Sequence, residues 1–231
     1  MKLTFKRGVI QGFPICLGYL SVSFGFGITA VANGLTPLQA TLISALNLTS
    51  AGQAAGVGII AAMGSYIEII LSQFIINLRY ALMGISLSQK LDSSFTIPHR
   101  IAAAFGITDE IFAVAYSQDG KVKPSYMYGM VFISWLGWVG GTLLGSLAGT
   151  VLPAILTGAL GIMLYAMFIA IVVPPAKENR NILFAVLLAV LLSTAFYYLA
   201  PFISSGFAII ICAVIASVTA ALLFPVKEAE E

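Results

Sequence analysis

The sequence predicts an all-α, polytopic integral membrane helix bundle of seven or eight transmembrane helices, some interrupted by Gly or Pro. Three observations predict it. First, 60% of the 231 residues are hydrophobic and 9% are charged, where a soluble domain carries about 25% charge. Second, residues 8–67, 124–176 and 181–226 hold no Asp, Glu, Lys, Arg or His. A spanning helix needs roughly 20 apolar residues, so each stretch has room for two. Third, runs such as Ile182–Leu192 (ILFAVLLAVLL) do not alternate polar with apolar residues. Lipid admits only helices and closed barrels, and barrel strands alternate.

The chain reads as one transmembrane domain, 1–231. Span 1 is about 8–33, with Pro14 and several glycines that permit a break or a close approach. Lys2, Lys6 and Arg7 before an apolar run that reaches Ala30-Val31-Ala32 imitate a secretory signal. The run is too long for one, and the segment is read as a span. Asn33-Gly34-Leu35-Thr36-Pro37 is a turn, with Thr36 an N-cap and Pro37 at the first helical position. Span 2 is about 37–63. Its polar centre, Asn47–Gln53, suggests an unwound or re-entrant segment. Span 3, about 65–88, holds Glu68 and Arg79. Residues 99–118 form a marginal span around Asp109 and Glu110. Asp119–Pro124 is a loop, followed by spans at about 125–149 and 152–173. Pro174–Arg180 reads as a break. The last spans lie at about 181–199 and 201–224, and Lys227–Glu231 is a solvated tail.

Eight crossings with a cytoplasmic N-terminus put Lys2, Lys6, Arg7, Lys121, Lys123, Lys177, Arg180 and Lys227 inside. Lys90 and Arg100 fall outside, in keeping with the positive-inside rule. A re-entrant 99–118 or span 2 gives seven crossings. No internal repeat stands out. Net charge is +2, which implies no nucleic-acid partner. Cys16 and Cys212 both fall in apolar spans and read as buried free thiols.

Charges inside a bilayer face a bundle interior or a water-filled cavity and mark pathways. Glu68, Arg79, Asp109 and Glu110 are such charges. In the functional reading Arg79 holds a carboxylate, while Asp109 or Glu110 binds a cation or proton. In the structural reading they are ion pairs between spans. Glu68 and Arg79 lie eleven residues apart, which separates them by about 16 Å in depth, so they cannot pair on one straight helix. Gln73 and Asn77 share a face, and Asn77 and Arg79 point about 200° apart, so span 3 is polar on two sides. Gly137, Gly141, Gly145 and Gly149 form a flat stripe, read as a subunit or sliding interface or as tight packing within the chain. Trp135 and Trp138 fit an interfacial belt loosely, and His99 reads as a loop residue. A single histidine leaves no H-E-x-x-H zinc site. There is no Walker loop and no G-x-S-x-G motif. No cofactor or metal is expected, and an enzyme is the reading with least support.

The run Asn77-Leu78-Arg79-Tyr80-Ala81-Leu82-Met83, then Thr108-Asp109-Glu110-Ile111-Phe112-Ala113, resembles the AzlC family. That family supplies the large subunit of bacterial branched-chain amino-acid exporters (BrnF-like proteins), whose members show N-L-R-x-x-L-M and T-D-E-x-F-A runs at this spacing. Gly12-Phe13-Pro14, Leu17-Gly18-Tyr19 and Phe24-Gly25 are similar to the family opening. In span 2 the family's Ala-Gly-x-x-Gln pattern is represented with Gln53 retained and the small residues shifted. The resemblance implies a secondary transporter subunit in the bacterial cytoplasmic (inner) membrane, exporting leucine, isoleucine, valine or similar neutral amino acids. It implies a small AzlD-like membrane partner, and a coupling proton or ion is compatible with it. The pathway is then expected at Asn77, Arg79, Asp109 and Glu110, with Gln53 and Glu68 in support. The alternatives are a pore for small solutes, which the glycine-rich helices and polar centre also fit, and a structural membrane subunit.

Overall fold

A computed structural model describes residues 3–153, 155, 162, 166, 169 and 172–225. The predicted span at 152–173 and the tail Lys227–Glu231 lie almost wholly outside those residues. The described residues are helical and contain no strand; residues 91 and 122 form an isolated bridge. The helices are α1 (Phe5–Ala32), α2 (Pro37–Leu46), α3 (Ser50–Ala61), α4 (Tyr66–Ser88), α5 (Ile97–Phe105), α6 (Asp109–Tyr116), α7 (Pro124–Val151), α8 (Arg180–Leu199) and α9 (Ser205–Leu223). Five of them, α1, α4, α7, α8 and α9, are long and apolar enough to cross a membrane. The predicted spans at 37–63 and 99–118 are instead pairs of short helices, broken at 47–49 and 106–108.

The chain packs as two units, residues 1–54 with 77–164 and residues 55–76 with 165–231, and the boundary falls inside α3 and α4. In the first unit α1 and α7 lie parallel and very close. Gly137 faces Cys16, Gly141 faces Leu20, Gly145 faces Phe24 and Gly149 faces Ile28. Both numbers rise four at a time, which is the signature of parallel helices meeting along one stripe. A Cβ at Gly145 would fall 2.8 Å from Phe24 Cα, and one at Gly141 would fall 2.9 Å from Leu20 Cα. Gly8, Gly12 and Gly27 of α1 return the arrangement against Met130 and Ser146 of α7. At each of these contacts the glycine side has no Cβ to hold the backbones apart, so dispersion acts at its shortest range. The stripe is thus spent inside the chain. Pro14 does not break α1; it sits in a continuous helix on its exposed side.

The turn at Asn33–Thr36 ends α1 and starts α2 with a capping box. Thr36 Oγ1 accepts from Gln39 N, and Gln39 Oε1 accepts from Thr36 N. At the opposite end of the unit, Asp92 N donates to Val122 O and Val122 N to Lys90 O, both at 2.8 Å. Lys90 Nζ also donates to Gln118 O and Tyr116 O, and Lys121 Nζ to Gln89 O. Lys90 and Lys121 thus lie at the same end of the unit, the arrangement of the seven-crossing alternative with 99–118 re-entrant, because the chain leaves α4 and enters α7 at one end. The segment between, α5–α6, starts and finishes at that end.

In the second unit α8 and α9 pack against each other. Asn179 caps α8, accepting from Asn181 N and Ile182 N. The break predicted over Pro174–Arg180 narrows to Asn179, since residues 172–178 are helical. Cys16 and Cys212 are both free and buried.

The glycine stripe yields a stability test. Gly145→Val should destabilise the protein by about 3 kcal/mol through overpacking. Gly140→Ala, where an added Cβ meets nothing within 4 Å, should be neutral or stabilising by up to about 1 kcal/mol. Thermal unfolding in detergent separates the two outcomes.

Candidate functional site

The site follows from where the two short-helix pairs stop. Tyr19 and Trp138 sit at the midpoints of the 28-residue α1 and α7, and their rings meet edge to face at 5.3 Å. That contact marks mid-depth. Leu48, in the first break, forms one buried cluster with Tyr19 and Trp138. Thr108, in the second break, lies 2.5 Å from Tyr19 Oη. α2 has ten residues, about 15 Å of helix and half of a bilayer core. The two pairs therefore enter from opposite ends of the unit and end at the same level.

Non-helical backbone at this depth is tolerated only where protein covers it, and it is covered. Leu48, Thr49, Gly106, Ile107 and Thr108 are all buried. Each break begins with a helix end and finishes with a threonine. Thr108 Oγ1 accepts from Ile111 N at 3.3 Å, and Thr49 Oγ1 from Gly52 N at 3.4 Å. A hydroxyl at the N-cap satisfies an amide that would otherwise be orphaned.

The expected residues gather around these tips in three sets. Arg79 Nη1 pairs with Asp109 Oδ2 at 2.7 Å, with the side chains 39% and 41% exposed. The guanidinium also lies over the Tyr80 ring, 5.0 Å from its centroid. Glu110 Oε2 is 2.6 Å from Tyr19 Oη. The phenol has one proton to give, and the carboxylate is the stronger acceptor. Thr49 Oγ1 donates to Asn77 Oδ1 at 2.5 Å. Asp109 and Glu110 occupy the first turn of α6, where the helix dipole favours negative charge.

Gln53 does different work. Its Nε2 donates to Ser44 Oγ at 2.9 Å, and its Oε1 accepts from Trp138 Nε1 at 2.9 Å. Ser44 Oγ is 2.7 Å from Thr142 Oγ1. This buried chain ties both short helices to α7, so Gln53 positions the first tip. Trp138 is 3% exposed and Trp135 Nε1 donates to Ala45 O; these tryptophans brace the interior and do not form an interfacial belt. His99 lies on α5, not in a loop, with Nδ1 2.6 Å from Tyr128 Oη.

Glu68 belongs to the second unit and is not gathered with the others. Its Oε1 accepts from Gly206 N at 2.9 Å and from Ser204 Oγ at 2.5 Å. It caps the N-terminus of α9, a helix whose own Ser204 makes no side-chain cap. The carboxylate satisfies one orphan backbone N–H there and also takes the Ser204 hydroxyl.

Sequence reasoning passed over Tyr19, Thr108, Ser44 and Thr142 as site members, while Thr49 falls in the polar segment that it reads as unwound or re-entrant. The available signal was a threonine directly before each inner helix, the pattern of an N-cap inside an apolar segment.

Comparison with known proteins follows the same residues. The model of the family described as AzlC protein matches residues 14–152. The inner membrane protein YgaZ of Escherichia coli (strain K12) is 30% identical over 187 residues, which cover 78% of this chain and 76% of that protein. An uncharacterized membrane protein of Archaeoglobus fulgidus is 34% identical over 178 residues, 76% of this chain and 78% of its own. An uncharacterized membrane protein of Helicobacter pylori (strain 26695) is 23% identical over 181 residues. No solved structure matches the chain.

Gln53→Leu should leave the Trp138 indole N–H without an acceptor in a dry interior and cost about 1–3 kcal/mol. Glu68→Gln keeps an acceptor for Gly206 N and should cost less than about 1 kcal/mol. Unfolding temperatures of the two variants in detergent check the order.

Proposed function

The chain belongs to the AzlC family, and on that premise we propose that it is the large subunit of a secondary transporter exporting branched-chain or similar neutral amino acids. The membrane is the bacterial cytoplasmic membrane, and a small AzlD-like membrane protein is the partner. The chain is a carrier and not an enzyme.

One observation carries this reading: a half-exposed Arg79–Asp109 pair at the tip of a broken segment. Each partner alone would be costly at mid-depth, while the pair is nearly neutral. An amino acid carries the same two charges on its own backbone. Its carboxylate can take the guanidinium, with bidentate geometry favouring Arg over Lys. Its ammonium can take Asp109. Binding then exchanges one ion pair for two and leaves no charge uncompensated. The pair closes on itself when the substrate leaves. Glu110, held by Tyr19, stands beside the exchange as a second carboxylate. The branched side chain needs an apolar wall, which Leu48, Ile107 and Trp138 offer around the tips.

The arrangement also supports a topology. Lys6, Arg7, Lys90, Arg100, Lys121 and Lys123 share the α4–α7 end of the first unit, while residues 29–41 and 145–153 at the other end carry no charge. The positive-inside rule then puts the N-terminus in the cytoplasm. Of the eight apolar segments in the sequence, 37–63 and 99–118 serve as re-entrant hairpins and the others as crossings.

Cells fed a leucine-containing dipeptide and co-expressing the small subunit should export leucine with saturable kinetics. Arg79→Ala and Asp109→Asn should each lower that export at least about tenfold, the effect of losing one charge-assisted contact. Arg79→Lys should recover only part of it. Normal export by variants that reach the membrane folded would overturn the assignment, and flux without saturation would favour a pore.

A further inference from the structure

The two broken segments share a plan that the residue letters conceal. Each starts with a threonine and a proline, Thr36-Pro37 and Thr96-Ile97-Pro98, and runs through a short helix of ten or nine residues. Each then breaks at mid-depth and restarts on a buried threonine, Thr49 or Thr108, which caps the next turn. Each follows a long helix, α1 or α4. The first enters the unit from the Asn33 end and the second from the Lys90 end.

The contacts at the tips are exchanged between the two halves. Thr49 binds Asn77 on α4, and Thr108 binds Tyr19 on α1, both at 2.5 Å. Tyr19 precedes Thr49 by 30 residues, and Asn77 precedes Thr108 by 31. The partner positions are therefore equivalent within one residue. Inverted repeats whose broken helices meet at the midplane are a recurring way to build one site open to two sides in turn.

α7 supplies the floor between the tips. Met130 and Ile107 belong to one buried cluster, and Trp138 and Leu48 to another. Ser134 lies one turn from each on the same face, is fully buried, and its hydroxyl has no partner. Buried hydroxyls are normally bonded, so this one has hydrogen-bonding capacity to spare.

We infer that α1–α2 with the first turn of α3, and α4–α5–α6, are inverted structural repeats, and that their threonine contacts are the two gates of one amino-acid site. The inference rests on the transporter reading above. The Thr108–Tyr19 contact, reinforced by Glu110, closes the path to the Lys90 end. The Thr49–Asn77 contact closes the path to the Asn33 end. The substrate sits between the tips, at Arg79 and Asp109, with Ser134 facing it from α7.

The test uses Leu48→Cys and Ile107→Cys, each in a background where Cys16 and Cys212 are Ala, in oriented vesicles treated with a membrane-impermeant maleimide. Leu48→Cys should be labelled from one side and Ile107→Cys from the other. Adding Tyr19→Phe should raise the Ile107→Cys rate about fivefold, the effect of one lost hydrogen bond on opening, and leave Leu48→Cys unchanged. Thr108→Val breaks the same contact and serves where Tyr19→Phe does not insert. Labelling of both cysteines from one side, or an equal rise at both, overturns the gates. The labelling needs no substrate, so opposite-sided labelling alongside a failure to export leucine overturns the substrate and not the gates.

Discussion

α1 and α7 approach so closely that each backbone rests on the other's glycines, and this pairing constrains the rest of the first unit. Two parallel helices in van der Waals contact along their length form a wall with few internal degrees of freedom. One face of α7 is used up on α1. The adjacent face carries Met130, Ser134, Trp138 and Thr142 at four-residue intervals, and that face receives both broken segments. A bulkier α1–α7 interface would shift Tyr19 relative to Trp138, and the two tips would lose their common seat.

The second constraint is polar. A chain that breaks its helices inside a membrane must cover the freed amides and carbonyls. Here the covering groups are small hydroxyls and one amide. Ser44, Thr142 and Gln53 tie the first pair to α7, and Tyr19 ties the second pair to α1. None of these groups carries a full charge, so the anchoring is cheap in a low dielectric. In the first unit Arg79, Asp109 and Glu110 stand at the tips, where the Arg79–Asp109 pair is half-exposed. Neutral anchors and charged groups are thus divided between different residues at the same depth.

Much of this was legible in the residue order. Charge-free length identified the membrane helices, and the Thr36–Gln39 capping box appeared where Asn33–Pro37 announced a turn. Arg79, Asp109, Glu110, Asn77 and Gln53 were singled out because a charge or amide within an apolar span is costly, and the structure does bring them to the two tips. Glu68 met the same criterion and caps α9 instead, because cost alone does not distinguish a pathway from a cap. Tyr19, Thr108 and Thr142 escaped notice because such residues are common in apolar helices and carry no charge to betray them.

By itself the sequence determined the helical class, the family likeness and the residues that lipid would not tolerate without partners, because these follow from local composition and the solvation cost of each group. Which partners those residues take was decided only by the tertiary structure. Helical periodicity says nothing about whether a segment of twenty residues crosses or turns back. That choice rests on contacts between residues 28 to 115 positions apart, such as Thr49 with Asn77, Lys90 with Gln118, and Tyr126 with Gln11. A hydrogen bond across such a distance leaves no mark on the hydropathy of either segment. It exists only once α1 and α7 have closed on each other.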